Sequence, residues 1–380
     1  MNSETKSCQN CKKPFVIEPE DFEFYQKLNV PPPTFCPECR FQRRLAWTNA
    51  FVLYRRPCDL CKRVVISVYA PNAPYTVYCP ACWWGDGWDQ YQYAQEYDPS
   101  RPFLEQWNEL LHKAPHLGLS VDLSTAENSP YVSNADHLNR CYLLFHSSSD
   151  EDCAYGFYLL HSKAIVDSSA CMTCERLYDA MHSWKCNRCI GSRSYVIESL
   201  DSEFLKDCVN AQNCFMCASL KNKKYCFKNR QLTKEAYEKE RAKYDLGSYA
   251  AYQKAAAEAE AVWATQIPKA EFGDRNVNCS GTHIYDSKNV KDSFQVNHGE
   301  NCRYVGIIAE GINSDLYDIT QWGDTLSLSY ESAIVGAQAS EMKFSQECGF
   351  GTIDLEYCKV VCASSHCFGC VAMKKAEYCI

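Results

Sequence analysis

The stretch CFMCASLKNKKYC, residues 214–226, returns at the end of the chain as CFGCVAMKKAEYC, residues 367–379. A single offset of 153 residues aligns four positions, placing Cys214, Cys217, Tyr225 and Cys226 on Cys367, Cys370, Tyr378 and Cys379. Cysteines and a tyrosine that keep their spacing over this distance indicate a duplicated unit. We therefore predict two related halves, 133–231 and 271–380.

A smaller unit recurs within each half. It consists of Asp, Asn or Glu, then Cys, Ser or Thr, then a bulky residue, as in Asp292-Ser293-Phe294 and Asn213-Cys214-Phe215. From Ser293 to Cys367 seven steps span 74 residues, about 10.6 residues a step, so two steps give a period near 21. Such a period, with short strands between turn residues, predicts a parallel β-solenoid. An irregular β-sandwich is the alternative, because its strands recur at similar intervals.

The acidic or amide residue of each unit suits a turn, and the Cys, Ser or Thr suits a tightly wound interior. Eighteen of the 26 cysteines lie in this region, and we interpret them mainly as small interior residues. A third zinc site is the alternative for four of them, which have ligand-like spacing: Cys171, Cys174, Cys186 and Cys189.

An Ala/Glu/Lys-rich stretch, 232–270, separates the two halves and predicts a helical insertion that begins at Thr233 and ends before Pro268. Nothing comparable follows the second half. We therefore expect the solenoid to be truncated at Ile380, with an uncapped end and an exposed strand edge.

Four Cys-x-x-Cys pairs occupy the first 82 residues, and they predict two four-cysteine zinc sites. Their members are Cys8, Cys11, Cys36 and Cys39, then Cys58, Cys61, Cys79 and Cys82. Two short knuckles joined by a hairpin can bring four thiolates to one point, and a helix start follows each second knuckle, as in a treble clef. Disulfide-bonded knuckles of a secreted protein are the alternative.

The fold class predicted is therefore mainly β with some α: two tandem treble-clef zinc ribbons followed by a duplicated β-solenoid with a helical insertion. The first ribbon spans 1–50 and the second spans 51–98. Residues 99–132 form a helix, which begins after Ser100 and ends at Pro115, and then a linker.

One part of the chain resembles a known family. The run that carries the resemblance is Cys8, Cys11, Phe15, Tyr25, Lys27, Pro33, Cys36, Pro37, Cys39 and Arg40. It resembles a small bacterial zinc-ribbon (treble-clef) domain with a C-x-x-C, F-Y-x-K, C-P-x-C-R signature, over about residues 5 to 45. The whole chain is similar to uncharacterised bacterial proteins of candidate phyla, with two ribbons and a cysteine-rich repeat. The resemblance implies zinc ligands and architecture, and no activity.

Composition bounds the cellular setting. With 46% hydrophobic residues in 380 the chain can form several cores, and no apolar run is long enough for a membrane span. Because no export signal precedes Cys8, we expect a cytoplasmic protein whose thiols stay reduced.

The first 63 residues carry 11 Lys/Arg against 7 Asp/Glu, whereas the whole chain has a net charge of −8. Five arginines lie among aromatic residues in this segment: Arg40, Arg43, Arg44, Arg55 and Arg56. Basic residues mixed with aromatics suit RNA, which makes RNA or ribosome association one functional hypothesis. The alternative is a solvated helix face around a small aromatic core.

No nucleotide-binding, zinc-protease or nucleophile-elbow motif occurs in the sequence. Solenoid grooves can host carboxylate pairs for glycoside cleavage, and Asp150-Glu151-Asp152 or Asp315 with Asp318 are the candidates. Acidic residues are expected at solenoid turns in any case. We therefore expect a non-enzymatic zinc-binding scaffold for an unknown protein partner, with RNA binding and a solenoid glycosidase or lyase as alternatives.

Overall fold

The computed structural model describes residues 2–49, 51–169, 190–308 and 311–380, together with the backbone of 178–181 and 183–184. Two small antiparallel units come first, and two solenoids follow. The first unit comprises β1 (Glu4–Ser7), β2 (Pro14–Ile17), α1 (Pro19–Lys27) and α2 (Pro37–Leu45). The second comprises β3 (Tyr54–Pro57), β4 (Val64–Ser67), β5 (Val77–Tyr78) and α3 (Pro80–Trp84). After a 3-10 helix (Gln90–Tyr93) come α4 (Phe103–Lys113) and β6 (His116–Leu117).

The first solenoid is built of short strands that pair in parallel. They are β7 (Ala126–Glu127), β8 (Val132–Asp136), β9 (Leu138–Asn139), β10 (Tyr142–Ser148), β11 (Ala154–Phe157), β12 (Val166–Ser169), β13 (Tyr178–Met181), β14 (Ser183–Trp184), β15 (Arg193–Ile197), β16 (Glu203–Gln212), β17 (Phe215–Ala218), β18 (Lys221–Lys224), β19 (Cys226–Phe227) and β20 (Arg230–Gln231), of which only the last is antiparallel to its neighbour. Two helices follow, α5 (Lys234–Arg241) and α6 (Tyr249–Trp263).

The second solenoid has the same construction. Its strands are β21 (Gly273–Asp274), β22 (Gly281–Tyr285), β23 (Lys288–Lys291), β24 (Ser293–Asn297), β25 (Gly299–Arg303), β26 (Gly306–Ile308), β27 (Asn313–Gly323), β28 (Ser327–Gly336), β29 (Ser340–Lys343), β30 (Gln346–Gly349), β31 (Ile353–Glu356), β32 (Lys359–Cys362), β33 (Ser365–Phe368) and β34 (Val371–Lys374). Each solenoid has its own apolar core. The predicted class, ribbons followed by a parallel solenoid, is confirmed, and the sandwich alternative is wrong.

The length of one coil differs from the predicted period. Tyr142 pairs with Ala154, and Ala154 pairs with Val166, so the first solenoid advances 12 residues a coil. In the second solenoid Ser314 pairs with Ser327 and Ser327 with Ser340, a spacing of 13. The predicted period near 21 is therefore wrong. One step of the sequence unit corresponds to about one coil, because most interior positions of a coil hold aliphatic residues that the polar unit does not reveal.

Every coil is bent by residues with positive φ that recur every third position. In the first solenoid they include Asn134, His137, Arg140 and Leu143, with φ between 49° and 54°. The residue after each of these points inward, as Cys141 does after Arg140. Asn and Asp tolerate this left-handed conformation better than other side chains. The recurrent unit of an acid or amide followed by a small residue is therefore a corner followed by an interior position.

Inward serines and cysteines also complete the backbone hydrogen bonding at the corners. Ser147 Oγ donates to the carbonyl of Phe145 (3.2 Å) and accepts the N–H of Leu159 one coil later (3.2 Å). Cys217 Sγ repeats this with the carbonyl of Phe215 (3.3 Å) and the N–H of Asn229 (3.3 Å). The interior therefore selects residues that are small and can also donate and accept a hydrogen bond.

Helices cover equivalent faces of the two solenoids. On the first, α6 buries Trp263 against Phe204 and Phe215, and its indole N–H reaches the carbonyl of Phe204 (3.3 Å). On the second, Phe103 of α4 packs against Tyr357 and Phe368 with ring centroids 5.1 and 4.8 Å apart. Tyr357 and Phe368 lie 153 residues after Phe204 and Phe215. The offset found in the sequence therefore relates equivalent positions in the fold.

Both ends of the solenoid region differ from expectation. The first coil already begins within the predicted linker, since Val121 pairs with Ala135. At the other end the edge of β34 is covered, because the Gln90 side chain accepts the Lys374 N–H (2.8 Å) and donates to the Lys374 carbonyl (2.9 Å). Among the described helices none combines the length and apolar character needed to cross a bilayer.

Candidate metal centres and the docked first ribbon

The first four-cysteine cluster forms where the β1–β2 turn meets the start of α2. The Sγ atoms of Cys8, Cys11, Cys36 and Cys39 all lie within 4.8 Å of one another. Cys36 is the N-cap of α2, and Pro37 occupies the first helical turn, where a missing N–H costs nothing. The backbone N–H of Cys36 points at Cys8 Sγ (3.2 Å), an arrangement that stabilises a thiolate. These residues can hold one metal ion.

The second cluster repeats this geometry. Its members, Cys58, Cys61, Cys79 and Cys82, also have their Sγ atoms within 4.8 Å of one another. Cys79 is the N-cap of α3, and its N–H points at Cys58 Sγ (3.3 Å). All eight cysteines that the sequence predicts as ligands are thus gathered in the predicted two groups of four.

In each cluster one thiol ionises more readily than the others. Burial opposes ionisation of Cys8, but the backbone N–H groups of Cys36, Cys11 and Asn10 lower the pKa of its thiol to about 6. The Arg63 side chain and backbone lower the pKa of Cys61 to about 6. Burial raises the pKa of Cys36 and of Cys82 to about 12. A thiolate near neutral pH gives a cation its first ligand, and metal binding then displaces the remaining protons.

The predicted third metal site falls on Cys171, Cys174, Cys186 and Cys189, which lie outside the described residues. Within the described part of the chain, no group of three or more metal-binding side chains comes together besides the two clusters. The described interior cysteines, such as Cys208 and Cys358, are buried and donate to backbone carbonyls instead.

The two arginines nearest the first cluster are inside the protein. Arg40, with 1% of its side chain exposed, donates through Nε and Nη2 to Asp318 Oδ2 (2.9 Å each). Arg44 donates through Nη1 to Asp318 Oδ1 (3.1 Å) and through Nε to Thr320 Oγ1 (3.0 Å). Asp318 itself is fully buried in β27 of the second solenoid. In this arrangement neither guanidinium can reach a phosphate.

The other three predicted RNA contacts are scattered. Arg43 is half exposed but forms an ion pair with Glu331 of β28. Arg56 is buried, donating to Asp59 Oδ2 (3.0 Å) and to the carbonyl of Ala70 (3.2 Å). Arg55 is exposed. The five side chains therefore form no common basic surface, and the geometry does not favour the RNA hypothesis.

Aromatic rings complete the contact between the first ribbon and the second solenoid. Phe24 of α1 stacks on Tyr317 with ring centroids 3.8 Å apart and an interplanar angle of 11°. Tyr25 lies over Tyr330 at 5.4 Å. At the edge of this contact Asp21 accepts a hydrogen bond from Arg303 Nη1 (2.8 Å). We use the term docking interface for this contact of α1 and α2 with β25, β27 and β28.

Sequence reasoning did not find the solenoid side of the docking interface. Asp318 was noted only as a candidate glycosidase carboxylate, and Glu331 only as part of the repeating unit. The available signal was the excess of positive charge in the first ribbon set against the negative remainder of the chain, which indicated a partner of opposite sign but not that it was part of the same chain.

The candidate catalytic carboxylates are mostly occupied by structural partners. Glu151 and Asp152 both accept from Arg140 (2.7 and 2.6 Å). Asp315 forms a pair with Lys27 (3.0 Å). Asp150 lies inside the first solenoid, where burial raises its pKa to about 8. These positions do not form two facing carboxylates beside an open groove.

Comparison with known proteins adds no assignment. No family model matches this chain, and no curated protein matches it. Among solved structures, a chain described as a putative acetyltransferase from Desulfovibrio desulfuricans G20 aligns with 10% identity and a TM-score of 0.11, over 61% of this chain and 62% of its own length. That TM-score is too low to carry an argument. The resemblance to the zinc-ribbon family therefore stays a prediction.

Proposed function

We propose that this chain is a non-enzymatic scaffold protein in which two structural Zn(II) ions hold small ribbons against a rigid solenoid. The observation that carries the proposal is the donor set of each cluster. Four thiols supply all four positions of a tetrahedral ion and leave none for water or substrate. Thiolate donors in this number favour Zn(II) over Mg(II) or Ca(II), which take oxygen ligands.

The solenoids supply the surface for a protein partner. Their interiors are filled by their own side chains, and their outer faces repeat in register from coil to coil. One such face of the first solenoid exposes a row of tyrosines, with Tyr142 42% and Tyr155 52% exposed and their rings 5.7 Å apart. Exposed tyrosines are frequent anchors of protein interfaces.

A reducing compartment, the cytoplasm, fits this chemistry. All 22 cysteines among the described residues are unpaired, and eight of them must stay reduced to bind metal. Oxidation of either cluster would remove its ligands and unfold its ribbon.

Metal analysis combined with native mass spectrometry of the purified protein tests the proposal. We expect two zinc ions per chain, one zinc after Cys36→Ser, and two zinc ions after the control Cys302→Ser, which changes a buried cysteine outside the clusters. Catalytic turnover that disappears in an Asp315→Asn variant, or a purified chain without bound metal, would overturn it.

A further inference from the structure

We infer that the metal held by Cys8, Cys11, Cys36 and Cys39 controls whether the first ribbon stays docked on the second solenoid. Metal loss would then release the ribbon and uncover an acidic and aromatic face around Asp318, Glu331, Tyr317 and Tyr330. The inference rests on the proposed structural metals but goes further, because it makes the first site a metal-dependent latch and the second a permanent joint.

The metal cluster aims the arginines of the latch. Cys36 caps α2 and Cys39 lies in its first turn, so the cluster fixes the position and direction of this helix. A helix of nine residues does not persist alone in water. Arg40 follows Cys39 directly, and its Nη1 donates to the carbonyl of Phe35 on the other side of Cys36 (2.6 Å). Without metal these constraints are lost, and the guanidiniums are no longer held towards Asp318.

The solenoid side of the latch is buried only because the ribbon covers it. Asp318 and Glu331 lie on neighbouring strands and receive three guanidiniums, all from α2. Tyr317 and Tyr330, which are 7% and 2% exposed, pack against Phe24 and Tyr25 of α1. Undocking would therefore return two carboxylates and two tyrosines to water. A cationic, aromatic segment of a partner protein has the chemistry to take the place of the ribbon.

The second ribbon is attached in a different way. Its Cys58, Tyr78 and Trp83 share an apolar cluster with Val360 and Val371 of the second solenoid. Its β5 also pairs in parallel with β6 beyond α4. Apolar burial and backbone pairing do not depend on aligned charges. We therefore expect its attachment to respond less to occupancy of its own metal site.

Reciprocity makes the inference testable from the far side of the interface. If metal favours docking, docking must favour metal by the same factor, for which 5- to 150-fold is the usual range. Asp318→Asn removes the central charge without touching a cysteine, since Asp318 contacts the arginines and not the thiols. It should weaken metal binding at the first site by about tenfold and leave the second site unchanged.

The measurement is site-resolved thiol alkylation during chelator titration, read by peptide mass spectrometry at Cys11 for the first site and Cys61 for the second. The matched control is Asp315→Asn, which removes a carboxylate of the same strand paired only with the half-exposed Lys27. We expect the Cys11 midpoint to shift in Asp318→Asn and not in Asp315→Asn. The Cys61 midpoint should stay constant and serve as the internal reference.

Two further measurements keep the test decisive if Asp318→Asn does not fold. Glu331→Gln changes the other carboxylate of the latch and should shift the Cys11 midpoint in the same direction. In the unmodified protein, hydroxyl-radical labelling of Tyr330 should rise when the chelator empties the first site. Unchanged Cys11 midpoints in the folded variants, or a Tyr330 that stays protected, would overturn the latch. Two bound metals without coupling would leave the proposed function standing.

Discussion

Asp150 places a carboxylate inside the first solenoid, where one oxygen accepts the N–H of Ser162 (2.8 Å) and the other, Oδ2, has no hydrogen-bond partner among the described residues. Burial raises its pKa from 3.8 to about 8. The folded protein therefore holds a proton that the unfolded chain has already released between about pH 4 and pH 8. Stability should be full below pH 4 and fall as the pH rises through this window, by at most about 1.4 kcal/mol per pH unit.

Asp150→Asn should remove this slope, because the amide stays neutral and keeps an oxygen for the Ser162 N–H. His146 gives a contribution of opposite sign, since burial lowers its pKa to about 4, but it is the same in both proteins and cancels in the comparison. Thermal midpoints of both proteins at pH 5 and pH 8 provide the measurement. Parallel pH profiles for the two proteins would show that Asp150 is not protonated in the folded state.

At the same scale, the acid and amide residues of the repeat were predicted as turn formers, and the structure shows what they do. Asp152 and Asn301 have φ of 56° and 53°, and a buried cysteine follows each. The sequence could not reveal that Leu143 and Tyr155 occupy the same kind of corner, with φ of 51° and 57°. These side chains carry no preference for that conformation, and only the pairing of neighbouring coils holds them there.

At the scale of the element, the interior hydrogen bonds explain why serine and cysteine alternate in one column of the second solenoid. Ser345 Oγ donates to the carbonyl of Lys343 (2.9 Å) and accepts the N–H of Cys358 one coil later (3.2 Å). Below it, Ser332 Oγ accepts the N–H of Ser345 (3.1 Å). A thiol and a hydroxyl can both fill this role, since each is a donor and an acceptor.

Ser345→Ala should therefore be more destabilising than Ser345→Cys. Alanine nearly matches serine in volume but leaves the buried Cys358 N–H without an acceptor, which costs about 1–3 kcal/mol. Cysteine keeps both bonds and should cost under about 1 kcal/mol. Urea denaturation of the two variants gives the comparison. Equal stability of the two would mean that the column selects only for size.

The coil length shows where prediction of the elements fails. The polar unit marks only those corners at which Asp, Asn or Glu precedes a small side chain, so a count of units underestimates the number of corners. Interior aliphatic residues such as Leu144 and Val296 occupy the remaining inward positions and look like ordinary strand residues. Parallel solenoid architecture could be predicted from the sequence, whereas its coil length required the strand register.

At the scale of the whole molecule, the eight metal ligands were predictable because Cys-x-x-Cys spacing is a local constraint. The docking interface was not, because Arg40 and Asp318 are separated by 278 residues and neither carries a mark of its partner. A buried arginine and an RNA-binding arginine look alike in sequence, and the difference depends on which charges the tertiary fold places opposite.

The buried charges should dominate the stability of the ribbon contact. Arg40→Met keeps the length and apolar stem of the side chain but leaves Asp318 with Arg44 alone, and breaking a buried pair in this way typically costs about 3–5 kcal/mol. Raising NaCl from about 0.1 M to 1 M should change the unmodified protein much less, because buried pairs are poorly screened.

The thermal transition of the first ribbon, followed by hydrogen exchange in α2, measures both effects. Arg55→Met is the matched control, since Arg55 is exposed and should matter little. A large loss of protection in high salt would contradict burial of the cluster, as would a tolerated Arg40→Met.

The long separation across the docking interface also has a consequence for biosynthesis. The first ribbon leaves the ribosome early, but its acceptor Asp318 is made 278 residues after Arg40, a delay of roughly 15 to 55 s at about 5–20 residues per second. During this interval the arginines of α2 lie in water, and the ribbon has only its metal and its own small core to keep it folded. The part of the protein that is made first is therefore among the last to reach its final position.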